Sequence, residues 1–260
     1  MVPAVARAAA ILEALALANG QPLGPSELSR QLGIAKSSVA NLCQALVDAG
    51  LAQRAGTGYR LGRRLAHLGA AYLATVDFVR EFHDSLPELD GLPETLQLAI
   101  LTDELEVVYL ARRDGTSPVR LASEIGRNLP ANCTATGKVM LASLPTEEVD
   151  RRLDGVTHLP GLTSRSITNP AKLRTELQRV RERGYAVDDE EVVDGVMRLA
   201  KAVRTGSGDG PAAVSLTVLK ASVTLDHLED LVERLDILVK ELDSRLSGSR
   251  NLEDVAAATS

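Results

Sequence analysis

Apolar positions fall into two regimes along the chain. In the first fifty residues they recur at helical spacing: Ala8, Ile11, Leu12, Leu15 and Ala16 share one face, and Val39, Leu42, Cys43, Leu46 and Val47 share another. Between these stretches, residues 19–25 are a Gly/Pro turn, residues 26–32 read as a short helix, and Gly33, Ile34 and Ala35 form the turn into the next one. This spacing predicts a helix-turn-helix. Gly50 ends the last helix, and residues 51–54 and 58–61 read as two short strands around Ala55, Gly56 and Thr57, which makes the unit a winged helix-turn-helix.

Helical periodicity continues through Leu65, Leu68, Ala71, Tyr72, Thr75, Val76 and Val79 to Phe82, which predicts one linker helix over 65–84. Residues 86–93, with two Pro and one Gly, open a second domain. From Thr95 the pattern changes to alternation. Strands are predicted at 95–101, 105–112 and 119–124, helices at 134–144, 146–153 and 170–183, strands again at 185–189, 197–204 and 212–219, and a closing helix at 225–246. The fold class is α+β, with a winged helix-turn-helix domain at 1–64, the linker helix, a domain of antiparallel sheet with flanking helices at 85–246, and a loose tail at 247–260.

Charge separates the two domains more sharply than pattern does. The whole chain of 260 residues carries −6, yet residues 1–64 hold seven basic side chains against three acidic ones, a head of +4 on a body of −10. A basic head on an acidic body suits a polyanion-binding module. On the second helix of the motif, Ser37, Ala40, Asn41, Gln44 and Asp48 lie opposite the apolar stripe, and small hydroxyls and carboxamides there can reach phosphates and base edges. The expected DNA-facing residues are Lys36, Ser37, Ser38, Asn41 and Gln44, with Arg54, Arg60, Arg63 and Arg64 on or just after the wing as phosphate contacts. Two other readings stand beside DNA binding: a signalling adaptor whose winged helix binds protein, and an enzyme with a winged-helix appendage.

Composition removes several classes. No Trp, two Phe and four Tyr leave little for stacking single-stranded nucleic acid. The four His and two Cys are scattered without zinc-ligand spacing, so no metal site is expected, and no cofactor motif is seen. Two Cys outside a disulfide framework point to a reducing cytoplasm, with one Cys43–Cys133 bridge as the alternative. Glu13 interrupts the apolar start that loosely imitates a signal peptide, and the longest later uncharged stretch, 65–76, is too short to span a bilayer. A cytoplasmic protein without membrane contact is expected.

Three motifs in the body invite chemistry. "NCTATGKVM" has Asn132 where a phosphate loop needs its leading Gly, and Val139 where it needs Ser or Thr, so nucleotide binding is set aside. The segment still places a helix start that Asn132 or Thr134 can cap, with two readings: free N–H groups and a helix dipole that favour a carboxylate, or a plain helix start. "GSGDG" at 206–210 reads as a hairpin turn. The acidic run Asp188 to Glu191, with Asp194, reads as a solvated turn, because no His or Lys stands near it in sequence. No nucleophile elbow or acid–base pair appears, so no catalytic residue is assigned.

The order and lengths of these segments resemble the isocitrate lyase regulator (IclR) family of bacterial transcription factors. The head carries the likeness in "SELSRQLGIAKSSVANLCQALVDAGLAQR" and "YRLGRRLAHLG", and the body in "GRNLPANCTATGKVMLASLPTEEV", "RERGYAVDDEEVVDGV" and "AAVSLTV". The resemblance implies a regulator, in all expectation a repressor, that works as a homodimer or a dimer of dimers. Its linker helices would pair subunits, and its heads would meet the half-sites of a pseudo-palindromic double-stranded operator. It also implies a GAF-like effector domain binding a small organic, typically carboxylic, molecule. By position the matching pocket residues are Thr134, Ala135, Thr136, Asp188, Arg198, Ser215 and Thr217. This sequence departs from the family at Asn41, which replaces a usual Arg, at Asn132 for a usual His, and at Arg198 for a frequent Cys. Arg198 has two readings, an anchor paired with Asp188 or a ligand carboxylate, and a side chain pointing to solvent.

Overall fold

A computed structural model describes residues 3–84, 92–116, 124–205 and 210–257, which form two compact units, Met1–Thr75 and Val76–Ser260. In the first, α1 (Pro3–Leu17), α2 (Pro25–Leu32) and α3 (Lys36–Asp48) precede a hairpin of β1 (Ala52–Ala55) and β2 (Gly58–Leu61), and α4 (Arg64–Ala74) follows. Of the two stripes read from sequence, Ile11, Leu15, Val39, Cys43 and Leu46 are buried, in a core completed by Leu23, Leu28, Ala52 and Tyr59, whereas Ala16 is exposed. Gly33 ends α2 in a left-handed conformation (φ 64°), open to glycine without Cβ strain. Leu23 pairs with Tyr59 through two backbone bonds of 3.0 and 2.9 Å, so the wing is anchored to the loop before α2.

The second unit begins with α5 (Asp77–Asp84) and builds one sheet from β3 (Thr95–Leu101), β4 (Glu106–Arg113), β5 (Asn128–Pro130), β6 (Ala186–Asp189), β7 (Val196–Val203) and β8 (Ala212–Leu219). The order is β5-β4-β3-β8-β7-β6, with every neighbouring pair antiparallel. Between β5 and β6 the chain forms α6 (Ala135–Ser143), α7 (Thr146–Arg152) and α8 (Pro170–Arg183), and α9 (Leu225–Ala257) closes it. Helix α6 packs against β3, β4, β6, β7, β8 and α8, whereas α9 packs against β7, β8 and α5. Among the described residues no helix is long and apolar enough to cross a membrane, and Cys43 and Cys133 are free thiols, each buried within its own unit.

Two expectations change. The single linker helix over 65–84 is two helices, because α4 ends at Ala74 and α5 starts at Asp77. Their packing also differs: α4 buries none of its side chains, whereas Phe78, Val79 and Phe82 of α5 are core residues. The tail expected to be loose from 247 continues α9 as helix through Ala257. The strand expected at 119–124 and the hairpin turn at 206–210 fall largely outside the described residues.

The approach of α6 to the sheet depends on small residues. Ala99, Ala213 and Ala202 lie side by side across β3, β8 and β7, with Ala200 and Ala186 one step along the same face. Every residue from Ala135 to Ala142 is buried. A Cβ on Gly137 would stand 2.3 Å from the carbonyl oxygen of Ala131, a backbone atom that cannot rotate away. Gly137→Ala gains up to about 1 kcal/mol in helix propensity, but overpacking of this kind costs about 1–3 kcal/mol or more. Denaturant titration should therefore show Gly137→Ala lowering the midpoint of the second unit. Gly69→Ala in α4, where nothing lies within 4 Å of the added Cβ, should leave stability unchanged or raise it.

Candidate DNA interface and effector site

Exposure separates the predicted DNA-facing residues into two groups. Lys36, Ser37 and Asn41 on α3 are exposed, as are Arg54, Arg60, Arg63 and Arg64, while Ser38 and Gln44 are half-buried. Gln44 does not stand alone: its Nε2 donates to Asp48 Oδ1 at 2.7 Å, and its Oε1 accepts from Arg54 Nη2 at 2.5 Å. The Arg54 guanidinium also lies 5.6 Å from the centroid of the Tyr59 ring. Arg64 donates through Nη1 to Ala49 O at 2.9 Å, which ties the start of α4 to the end of α3. A Cβ on Gly62 would stand 2.2 Å from Gly50 O, so the strand leaving the wing needs glycine to pass the end of α3. The arrangement is an exposed set of basic side chains on and after the wing beside short polar side chains on α3, suited to a duplex groove and its flanking phosphates.

In the body, register places most of the predicted effector residues on one sheet face. Thr95 pairs with Thr217, Thr217 with Arg198, and Arg198 with Asp188, a polar row across β3, β8, β7 and β6. The next row is Gln97, Ser215, Ala200 and Ala186. Strand alternation makes the two rows neighbours on the face that carries α6. Thr134 caps α6, its Oγ1 accepting from Gly137 N at 2.9 Å, so Ala135 and Thr136 form the first turn. Thr136 Oγ1 is 3.3 Å from the Tyr109 hydroxyl on β4. Asn132, the other capping candidate, donates instead to Pro160 O at 2.8 Å and Ile167 O at 2.9 Å, holding the 160–167 loop.

The acidic run is a solvated turn only in part, which corrects that expectation: Asp194 is exposed, whereas Asp189 and Glu190 are half-buried. Asp188 and Glu191 are buried. Asp188 Oδ2 accepts from Arg198 Nη1 at 2.8 Å, and its Oδ1 accepts from the backbone N–H of Glu191 at 2.7 Å and of Val192 at 3.3 Å. Arg198 is 2% exposed, so the solvent-facing alternative is excluded. Lys138, one turn into α6, donates to Val187 O at 2.5 Å and pairs with the Glu191 carboxylate. Burial pushes both carboxyls up from the ordinary range, against the opposing pull of Arg198 on Asp188 and of Lys138 on Glu191. At the surface, Asp189 and Glu190 pair with Lys220, and Glu190 also with Arg165.

Lys138 and Glu191 were missed by sequence reasoning, and so were Thr95, Gln97 and Tyr109 as members of the same face. A readable signal existed for one of them: Gln97 is a lone polar residue inside the apolar run TLQLAIL. The Ser215 and Thr217 hydroxyls are buried, and neither has a hydrogen-bond partner among the described residues. A separate groove of about 930 Å³ lies at the other end of α6, lined by residues of α8, β7 and α9 such as Val180, Lys201, Ala202, Asp236 and Val239. Among the described residues no group of His, Cys, Asp and Glu has the arrangement to hold a metal ion.

Comparison with known proteins now bears on both units. Residues 4–56 match the IclR helix-turn-helix domain, and residues 70–244 match the bacterial transcriptional regulator IclR C-terminal domain. The chain is 32% identical to the HTH-type transcriptional regulator KdgR of Escherichia coli, over 89% of this chain and 88% of that protein. It is 26% identical to the transcriptional repressor IclR of the same organism, over 96% and 92%. An IclR homologue of Microbacterium hydrocarbonoxydans, solved as a complex with 4-hydroxybenzoate, has the same fold: TM-score 0.73, 21% identity, 94% of this chain and 99% of that one. With both of its units matched in chain order, this protein belongs to the IclR family of DNA-binding bacterial transcriptional regulators.

Proposed function

We propose that the chain is a repressor whose operator affinity is set by a small carboxylic acid held between the start of α6 and the polar row of the sheet. The observation that carries the effector reading is the pair of hydroxyls on Ser215 and Thr217, buried beside the Asp188–Arg198 pair and unpartnered among the described residues. An unmade hydrogen bond on a buried group costs about 1–3 kcal/mol, so the site has capacity that the folded chain itself does not use. Arg198 and the N–H groups at the start of α6 supply the positive field for a carboxylate. The homologue solved with 4-hydroxybenzoate supports this ligand class, and the name of the E. coli IclR repressor supports the sign of regulation. Asp188, Arg198, Ser215 and Thr217 are no more than 3% exposed. The ligand therefore reaches them through an opened state, and it stabilises that state only as far as it binds it better than the closed one.

On the DNA side, Lys36, Ser37, Ser38, Asn41 and Gln44 face the groove, and the arginines of the wing and its exit contact the backbone. Two copies of the chain, in the cytoplasm, would place their heads on the half-sites of a pseudo-palindrome. Fluorescence anisotropy with the duplex upstream of its own gene checks this. Arg60→Ala and Arg63→Ala should each weaken binding to all duplexes and reduce the slope of log K against log salt by about 1. Binding by the wild type that is absent, or indifferent to salt, would overturn the operator reading.

For the effector, Arg198→Ala is a blunt test, because a buried carboxylate left without its partner costs about 3–5 kcal/mol. Ser215→Ala with Thr217→Val removes only the idle hydroxyls. In the absence of ligand this variant should be as stable as the wild type or more so. Its half-saturating concentration for release of DNA, titrated with a panel of small carboxylic acids that includes 4-hydroxybenzoate, should rise about tenfold, the worth of one well-made hydrogen bond. An unchanged midpoint removes both hydroxyls from the site.

A further inference from the structure

We propose that Arg54 determines operator specificity as a positioning residue, fixing the direction in which the Gln44 carboxamide faces and hence the base edge that α3 reads. The two ends of that carboxamide are held by partners of opposite character. Asp48 Oδ1, one helical turn on, accepts from Nε2, and Arg54 Nη2, reaching over from the wing, donates to Oε1. A carboxylate only accepts and a guanidinium only donates. Turning the amide over would set its oxygen against the carboxylate and its amino group against the guanidinium, so one orientation is imposed.

The amide keeps useful capacity in that orientation. A carboxamide has two N–H donors and two acceptor lone pairs; the bonds to Asp48 and Arg54 use one of each. One donor and one acceptor remain, the set that pairs with N7 and N6 of adenine in the major groove. Arg54 is itself held in place. It stands opposite Tyr59 in the β1–β2 register, with its guanidinium over that ring. Tyr59 is buried in the core of the head and bonded through its backbone to Leu23. A connected series of contacts thus runs from a buried ring through Arg54 to the helix that faces the groove.

Charge supports the same assignment. Asp48 is a carboxylate on the DNA-facing side of α3, where it repels phosphates, and holding the Gln44 amino group gives it a reason to be there. With Asp48 and Arg54 on one amide, the pair is electrically neutral, so Arg54 contributes less to backbone attraction than the exposed Arg60 and Arg63. This revises its expected role as a plain phosphate contact.

The proposal rests on the reading that α3 faces DNA, and its test separates the two. From a pool of duplexes with a randomised centre, binding sites are selected with the wild type, Gln44→Ala, Arg54→Ala, Arg60→Ala and the double variant Gln44→Ala/Arg54→Ala. The wild type should prefer adenine at one position of each half-site. Gln44→Ala and Arg54→Ala should both flatten that position, losing roughly tenfold in discrimination, and the double variant should be no flatter there than Gln44→Ala alone. Arg60→Ala should bind more weakly with its base preferences intact. If Arg54→Ala behaves like Arg60→Ala, or if Gln44→Ala leaves the profile unchanged, the proposal falls while the DNA-facing reading stands. A wild type that selects no sequence would overturn both.

Discussion

Helix α6 is buried on every side, and the body of the protein is arranged around that fact. A helix so enclosed needs small or apolar residues all round, and from Ala135 to Ala142 it has them at every position except Thr136 and Lys138. The alanines of the facing strands and Gly137 let it lie close. Lys138 is the exception that shapes the site. An ammonium without water must find acceptors, and it draws the Glu191 carboxylate and the carbonyl of Val187 inward. The turn that carries Glu191 also presents its N–H groups to Asp188, and Asp188 in turn holds Arg198. The ionic cluster is thus a consequence of seating one lysine in a closed interior.

The head obeys a different economy. Its core joins three helices to the wing through Ala52 and Tyr59, and the wing is fixed by close backbone approach: Gly58 lies against Leu23, and Gly62 against Gly50, where a Cβ would fall 2.8 and 2.2 Å from carbonyl oxygens. These contacts hold the wing relative to α3, which is what allows an arginine on β1 to reach a glutamine on α3 with one defined geometry.

The helices of the head and the bounds of α8 and β8 were legible because periodicity and flanking turn residues are local signals. The break between α4 and α5 was not, since Thr75 and Val76 continue the helical pattern; what separates the helices is that Val76 is buried in one unit while α4 buries nothing. The helical end of α9 is not legible because apolar periodicity fades after Leu246 and Gly248 follows it, although residues 249–257 contain neither Pro nor Gly to break a helix. At the site, alternation correctly put Ser215 and Thr217 on one face. The burial of the acidic run is only half legible: Arg198 stands ten residues from Asp188 and offers itself as a partner, but Lys138 stands 53 residues from Glu191, and only the fold brings a charge across such a distance.

The sheet order carries a consequence for how the chain is made. Strand β3 is flanked by β4, its neighbour in sequence, and by β8, near the far end of the chain; Gln97 faces Ser215. The head, by contrast, is assembled wholly from the first seventy-five residues. During synthesis the head is therefore complete and folded while β3 still waits for the strand that closes the sheet. Local contacts form early and non-local strand pairs late. The nascent chain passes through an interval in which its helix-turn-helix unit is complete while the sheet of the second unit is still open.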